Sequence, residues 1–160
     1  MRIEFYYALV ALCCAYAFAK GGAPERVGSV ILAVASILTL FAAWGRSHGY
    51  VSFQLGIFIV DLGCLLAFLL LAVRAERYWP LWITALQIIG TGAHAVKLAD
   101  PEIIGKAYAF AMAFWSYPMW GLIALGTYRH QRRLALYGAD RSWSNSSARS
   151  GRAPPAGPTV

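Results

Sequence analysis

Five long stretches almost free of charge divide this chain of 160 residues, and no other feature constrains its fold more. They cover about residues 5–19, 27–44, 51–73, 79–96 and 103–128. An α-helix needs about 20 apolar residues to cross the hydrocarbon core of a bilayer, with a working range of about 17 to 25. The second to fifth stretches reach that length, and the first is marginal. Lipid supplies no hydrogen-bond partners, so only helices or closed barrels can span it. Barrel strands alternate apolar and polar residues, and these stretches do not. The expectation is an all-α fold, a polytopic transmembrane helical bundle of five helices over residues 1–128. A basic, largely disordered cytoplasmic tail follows over residues 129–160.

Composition and charge agree with a membrane class. Hydrophobic residues make up 59% of the chain and charged residues 13%, whereas soluble domains are about half apolar and a quarter charged. The net charge is +7. Arg129, Arg132, Arg133, Arg141, Arg149 and Arg152 against Asp140 place +5 of it in the tail. A basic cluster directly after an apolar helix reads as a cytoplasmic flank facing anionic lipid, not as a nucleic-acid surface. Arg129, Arg132 and Arg133 are the start of that lipid-facing flank. With the tail inside and five crossings, the N-terminus lies outside. Ten Lys and Arg then fall on the inner side and four on the outer, in line with the positive-inside bias.

The segment boundaries carry the expected punctuation. Lys20 to Arg26, Gly45 to Gly49, Arg74 to Arg77 and Lys97 to Glu102 read as turns. Tyr6, Tyr7, Trp44, Tyr50, Tyr78, Trp79, Trp82 and Tyr128 sit near segment ends, where amphipathic rings favour the headgroup layer. Trp115, Tyr117 and Trp120 lie mid-segment and are expected to face neighbouring helices, and Pro118 to kink the fifth. Residues 129–137 can extend that fifth helix by two turns. A competing reading treats residues 1–19 as a cleaved signal, with Arg2, an apolar run and Ala17-Phe18-Ala19. It leaves four helices and puts the basic tail outside, so an uncleaved first helix is preferred.

Asp61 is the most informative polar residue. A carboxylate at the centre of a membrane helix costs at least about 2.5 to 3.5 kcal/mol, so it must face the bundle and find a partner. Gln54 lies seven residues earlier on the same face. Thr84, Gln87, Thr91 and His94 follow steps of three, four and three, which aligns them on one side of the fourth helix. Counted from Glu76, Asp61 and Thr91 are equally distant, so a contact of Asp61 with Gln87, Thr91 or His94 is expected. Lys106 reaches a similar depth from the fifth helix. Asp61, His94, Lys106, Gln54, Gln87 and Thr91 thus form a candidate intramembrane cluster. It can be interhelical glue or a proton- or ion-responsive site in which His94 titrates.

No enzyme motif accompanies this cluster. Cys13, Cys14 and Cys64 lie in apolar segments without zinc spacing, so no metal is expected. Haem held by two histidines needs them at matching depth on facing helices, and His48, His94 and His130 offer no such spacing. No cofactor is expected, nor a Ser-His-Asp, H-E-x-x-H or G-x-S-x-G arrangement.

Arg77-Tyr78-Trp79-Pro80-Leu81-Trp82, Gln87, His94, Tyr108-Ala109, Trp115-Ser116-Tyr117-Pro118 and Gly126-Thr127 resemble small uncharacterised inner-membrane proteins of alphaproteobacteria. The resemblance covers the third to fifth helices and implies a bacterial cytoplasmic membrane and a helical bundle. It implies no activity. The functional expectation is a non-enzymatic structural or accessory subunit whose partners are the lipid bilayer and other membrane proteins or a further copy of the chain. The alternative is a small transporter or channel-like protein built on Asp61 and His94.

Overall fold

The computed structural model describes residues 2–43, 55–99, 110, 114–140 and 142–143. Over those residues the chain is helical: α1 Arg2–Lys20, α2 Ala23–Ala43, α3 Leu55–Arg74, α4 Trp79–Ala99 and α5 Ser116–Tyr137. No strand occurs among the described residues, where one isolated antiparallel bridge joins Ala75 to Trp143. Two helical segments, Ala23–Ala42 and Leu55–Arg74, are long and apolar enough to cross a membrane.

Helix α1 begins at Arg2, three residues before the expected run, and α4 continues through Lys97, read as a turn, to Ala99; two further boundaries differ for identifiable reasons. Helix α2 starts at Ala23, four residues before the apolar run at Val27. Pro24 lies in its first turn, where a missing N–H costs nothing, and Glu25 complements the positive end of the helix dipole. The Lys20–Arg26 stretch is therefore mostly helix. Only Gly21 and Gly22 link α1 to α2, and the Gly21 N–H donates to the Ala17 carbonyl at 2.8 Å. Helix α5 starts at Ser116, with Pro118 in its first turn, and continues past Arg129 to Tyr137, the two-turn extension expected. Residues 103–109 and 111–113 of the expected fifth helix, and the expected disorder beyond residue 143, lie outside the described residues.

The two-residue α1–α2 link and the four-residue α3–α4 link make those helix pairs neighbours. Helix α3 packs on α2 and α4, while α5 packs on α4, α1 and α2 and so closes the bundle. The α1–α2 turn, the α3–α4 turn and the end of α5 therefore meet at one end. That basic end carries Lys20, Arg26, Arg74, Arg77, Arg129, Arg132 and Arg133.

Helical periodicity sets which side chains turn inward. On α3 these are Ile57, Cys64, Phe68 and Leu71, in steps of seven, four and three. Asp61 falls on the same stripe. On α5 the buried face runs Met119, Trp120, Ile123, Gly126, Thr127 and His130. Trp120, buried as the mid-segment reading expects, donates its indole N–H to the Tyr6 hydroxyl at 3.3 Å. The Ser36 hydroxyl gives its own proton to the Leu32 carbonyl, so Tyr6 must donate to Ser36, 2.8 Å away. This relay ties α5, α1 and α2 together.

Apolar side chains cover the outside of the bundle as well as its core, and several polar groups are buried. Val34, Ile37 and Phe41 of α2 and Leu66, Leu70 and Val73 of α3 are exposed, while Glu25, Ser29, Arg77, Gln87, His94 and Thr127 are buried.

Trp79 is the tightest packing element. Its indole lies between Gly28 of α2 and Gly126 of α5. An added Cβ would approach the ring to 2.5 Å at Gly28 and 2.7 Å at Gly126. Overfilling a packed core costs about 1 to 3 kcal/mol. Gly126→Val should therefore lower the thermal midpoint of the purified protein by several degrees. Gly63→Ala, which meets nothing within 4 Å, should leave it unchanged, and unfolding followed by tryptophan fluorescence checks both.

Candidate functional site

Polar side chains collect in two places. The first is the mid-bundle cluster foreseen around Asp61. Its Oδ2 lies 2.9 Å from Nε2 of His94, which is fully buried, while the Asp61 side chain retains 23% exposure. The Gln87 amide donates to the Asp61 carbonyl at 3.1 Å and to its Oδ1 at 3.4 Å. Phe58 meets the His94 ring edge-on, with centroids 5.5 Å apart. Asp61 is thus straddled by groups one turn either side of Thr91. The Thr91 hydroxyl does not join them. Its Oγ1 is buried with no hydrogen-bond partner among the described residues. Thr84 donates to the Pro80 carbonyl at 2.8 Å instead. Gln54 and Lys106 lie outside the described residues.

The imidazole and the Gln87 amide give the Asp61 carboxyl hydrogen-bonding partners inside the bundle, which lowers the cost of burying it. The arrangement joins α3 to α4 and leaves Asp61 the more accessible partner.

The second cluster sits at the basic end and was missed as a site by sequence reasoning. Its centre is Arg77 in the α3–α4 turn, whose side chain is 4% exposed. Its Nε donates to Oε1 of Glu25 at 3.3 Å. Its Nη1 and Nη2 grip both oxygens of Asp140 at 3.1 and 2.7 Å, a bidentate fork that suits the planar guanidinium. Asp140 also accepts from Arg133 Nε at 2.8 Å and from His130 Nδ1 at 2.5 Å. An ionised carboxylate can only accept, so Nδ1 of His130 carries a proton. Trp79 completes the set by donating to Glu25 Oε1 at 3.0 Å.

Backbone geometry brings Asp140 into reach. Gly138 ends α5 in the left-handed region at φ 69°, and its N–H caps the Leu134 carbonyl at 2.9 Å. A side chain at that φ is strained, so glycine fits. The reversal returns the chain toward the bundle, where the bridge from Trp143 to Ala75 anchors the next residues. Arg133, expected to face lipid, instead turns its Nε inward and keeps 35% of its side chain exposed. Arg129 and Arg132 are exposed.

Burial raises the Asp140 carboxyl, but hydrogen bonds from Arg133 and His130 and the charges of Arg77 and Arg133 outweigh it and hold the group below the usual carboxylate range. Among the described residues, no group of three His, Cys, Asp or Glu side chains could hold a metal ion. No protein-family model, curated protein or solved structure matches the chain.

The missed residues left a faint trace in sequence. Glu25, Arg77 and Asp140 all fall within a few residues of helix ends on one side of the bundle. Removing one partner of a buried ion pair costs about 3 to 5 kcal/mol. Arg77→Met should therefore destabilise the protein by about that much. A depressed carboxylate adds stability that is complete above its unfolded pKa of about 3.9 and vanishes as pH falls through the lower folded value. The midpoint gap between wild type and Asp140→Asn should hold from neutral pH to about 5 and close below about 4. Thermal melts across a pH series measure that gap.

Proposed function

We propose that the chain is a five-crossing protein of the bacterial cytoplasmic membrane, with its N-terminus outside and its basic end in the cytoplasm. In this proposal it acts as a non-enzymatic structural or accessory subunit. The observation that carries the membrane part is the exposed apolar surface of α2 and α3. Only 22% of one apolar span and 28% of the other are buried, whereas the core helix of a soluble protein would be mostly covered. The resemblance to small alphaproteobacterial inner-membrane proteins belongs to the same proposal.

The accessory role is supported by how the buried charges are used. Arg77 commits all three guanidinium nitrogens, and Asp140 accepts four hydrogen bonds. Groups so fully engaged lock helices in register rather than turn over a substrate. The partners are then other membrane proteins or a second copy of the chain, reached through the exposed apolar faces.

One observation favours a second reading, a small transporter or channel-like protein. Asp61 is partly accessible while its partner His94 is sealed, which suits a carboxylate that exchanges a proton or ion. The two readings separate by experiment. A periplasm-sensitive reporter fused after residue 160 should stay inactive, and a cytoplasm-sensitive one active. Asp61→Leu should impair assembly in the membrane under the structural reading. Asp61→Asn should assemble but lose proteoliposome flux under the transport reading. An Asp61→Leu protein that assembles normally removes the structural role assigned to this residue.

A further inference from the structure

Between the α3–α4 turn and the last turns of α5 lies a cavity of about 490 Å³. Its wall is graded along α5. Leu122 and Leu125 form the inner part, then Gly126, then Arg129 and Arg133 at the outer edge. Steps of three, four and four put Leu122, Leu125, Arg129 and Arg133 on one stripe. At 1.5 Å per residue the change from leucine to the first arginine takes about 6 Å, and the stripe spans about 16 Å. Tyr78 and Trp82, both exposed, border it from the other side.

The cations of this cavity are not equally occupied. Arg77 is spent on Glu25 and Asp140. Arg133 places its Nε on Asp140, and its two terminal nitrogens have no partner among the described residues. Arg129 has no partner among the described residues. The Asp140 carboxylate, with four donors on it, presents little charge of its own. Glu76 is the remaining carboxylate on the lining.

We propose that this cavity binds one anionic glycerophospholipid, with its phosphate on Arg129 and Arg133 and an acyl chain along Leu122 and Leu125. The proposal rests on the membrane reading above and names a specific ligand for its basic end. The membrane is the source of this ligand because the apolar part of the wall has no use for a free phosphate. The lining carries Arg77, Arg129 and Arg133 against Glu76 and Asp140, a net +1, and aromatic rings at the mouth match the headgroup layer.

Native mass spectrometry of the full chain in mild detergent tests the site with phosphatidylglycerol, phosphatidylcholine or inorganic phosphate added. Phosphatidylglycerol should be retained, and Arg129→Gln should weaken its retention about tenfold, the worth of one charge-assisted hydrogen bond. Arg132→Gln removes the same charge from an exposed residue outside the cavity and should change retention less than about twofold. Glu76→Gln should strengthen it. Equal losses in Arg129→Gln and Arg132→Gln, equal retention of phosphatidylcholine, or binding of free phosphate alone would each overturn the proposal. A protein that needs detergent yet ignores Arg129→Gln sinks the lipid site only. A protein that stays folded and monodisperse without detergent sinks the membrane reading itself.

Discussion

The bundle depends on a buried guanidinium. Arg77 is held between Glu25, near the start of α2, and Asp140, just after the end of α5. Taking such charges from water costs several kcal/mol per ion, and their mutual attraction offsets this only when geometry and hydrogen bonding are good. Here the fork to Asp140 and the Trp79 contact to Glu25 meet that condition. The network gives little surplus stability over apolar packing of similar volume. It gives register, because sliding any of these elements by one turn strands a charge.

The two polar clusters differ in how completely they are satisfied. At the basic end the buried donors and acceptors among the described residues are engaged, with Glu25 Oε2 the exception. At mid-depth, Asp61 keeps partial exposure and the Thr91 hydroxyl lacks a described partner. A saturated cluster resists rearrangement, since each change leaves a buried group unpaired. An unsaturated one has room for a proton or a water. Rigidity therefore concentrates at one end and chemical latitude near the centre.

Much of this was legible in the sequence. Apolar runs and helical spacing foretold the helices and the inward stripe of α4, and depth counting from Glu76 brought Asp61 level with Gln87 to His94. That worked because a lone carboxylate in an apolar run has few neighbours of matching height. The Arg77 cluster was not legible for a physical reason. Its members lie near chain reversals, where depth counting restarts, and Asp140 arrives only through the left-handed turn at Gly138. The same short-range effect hid the start of α2, because Pro24 and Glu25 look like loop residues until a helix first turn is seen to welcome both. Trp79 was read as a belt residue, and only the glycines opposite it on two other helices show that it points inward.

The placement of Asp140 also has a temporal side. It follows Arg77 by 63 residues, so a nascent chain holds the arginine with Glu25 alone for roughly 3 to 13 s at 5–20 residues per second. Until the carboxylate emerges, Arg77 has a neutralising partner in Glu25, but its bidentate fork is unmade. The lock between the α3–α4 turn and the end of α5 is therefore among the last contacts that synthesis can complete.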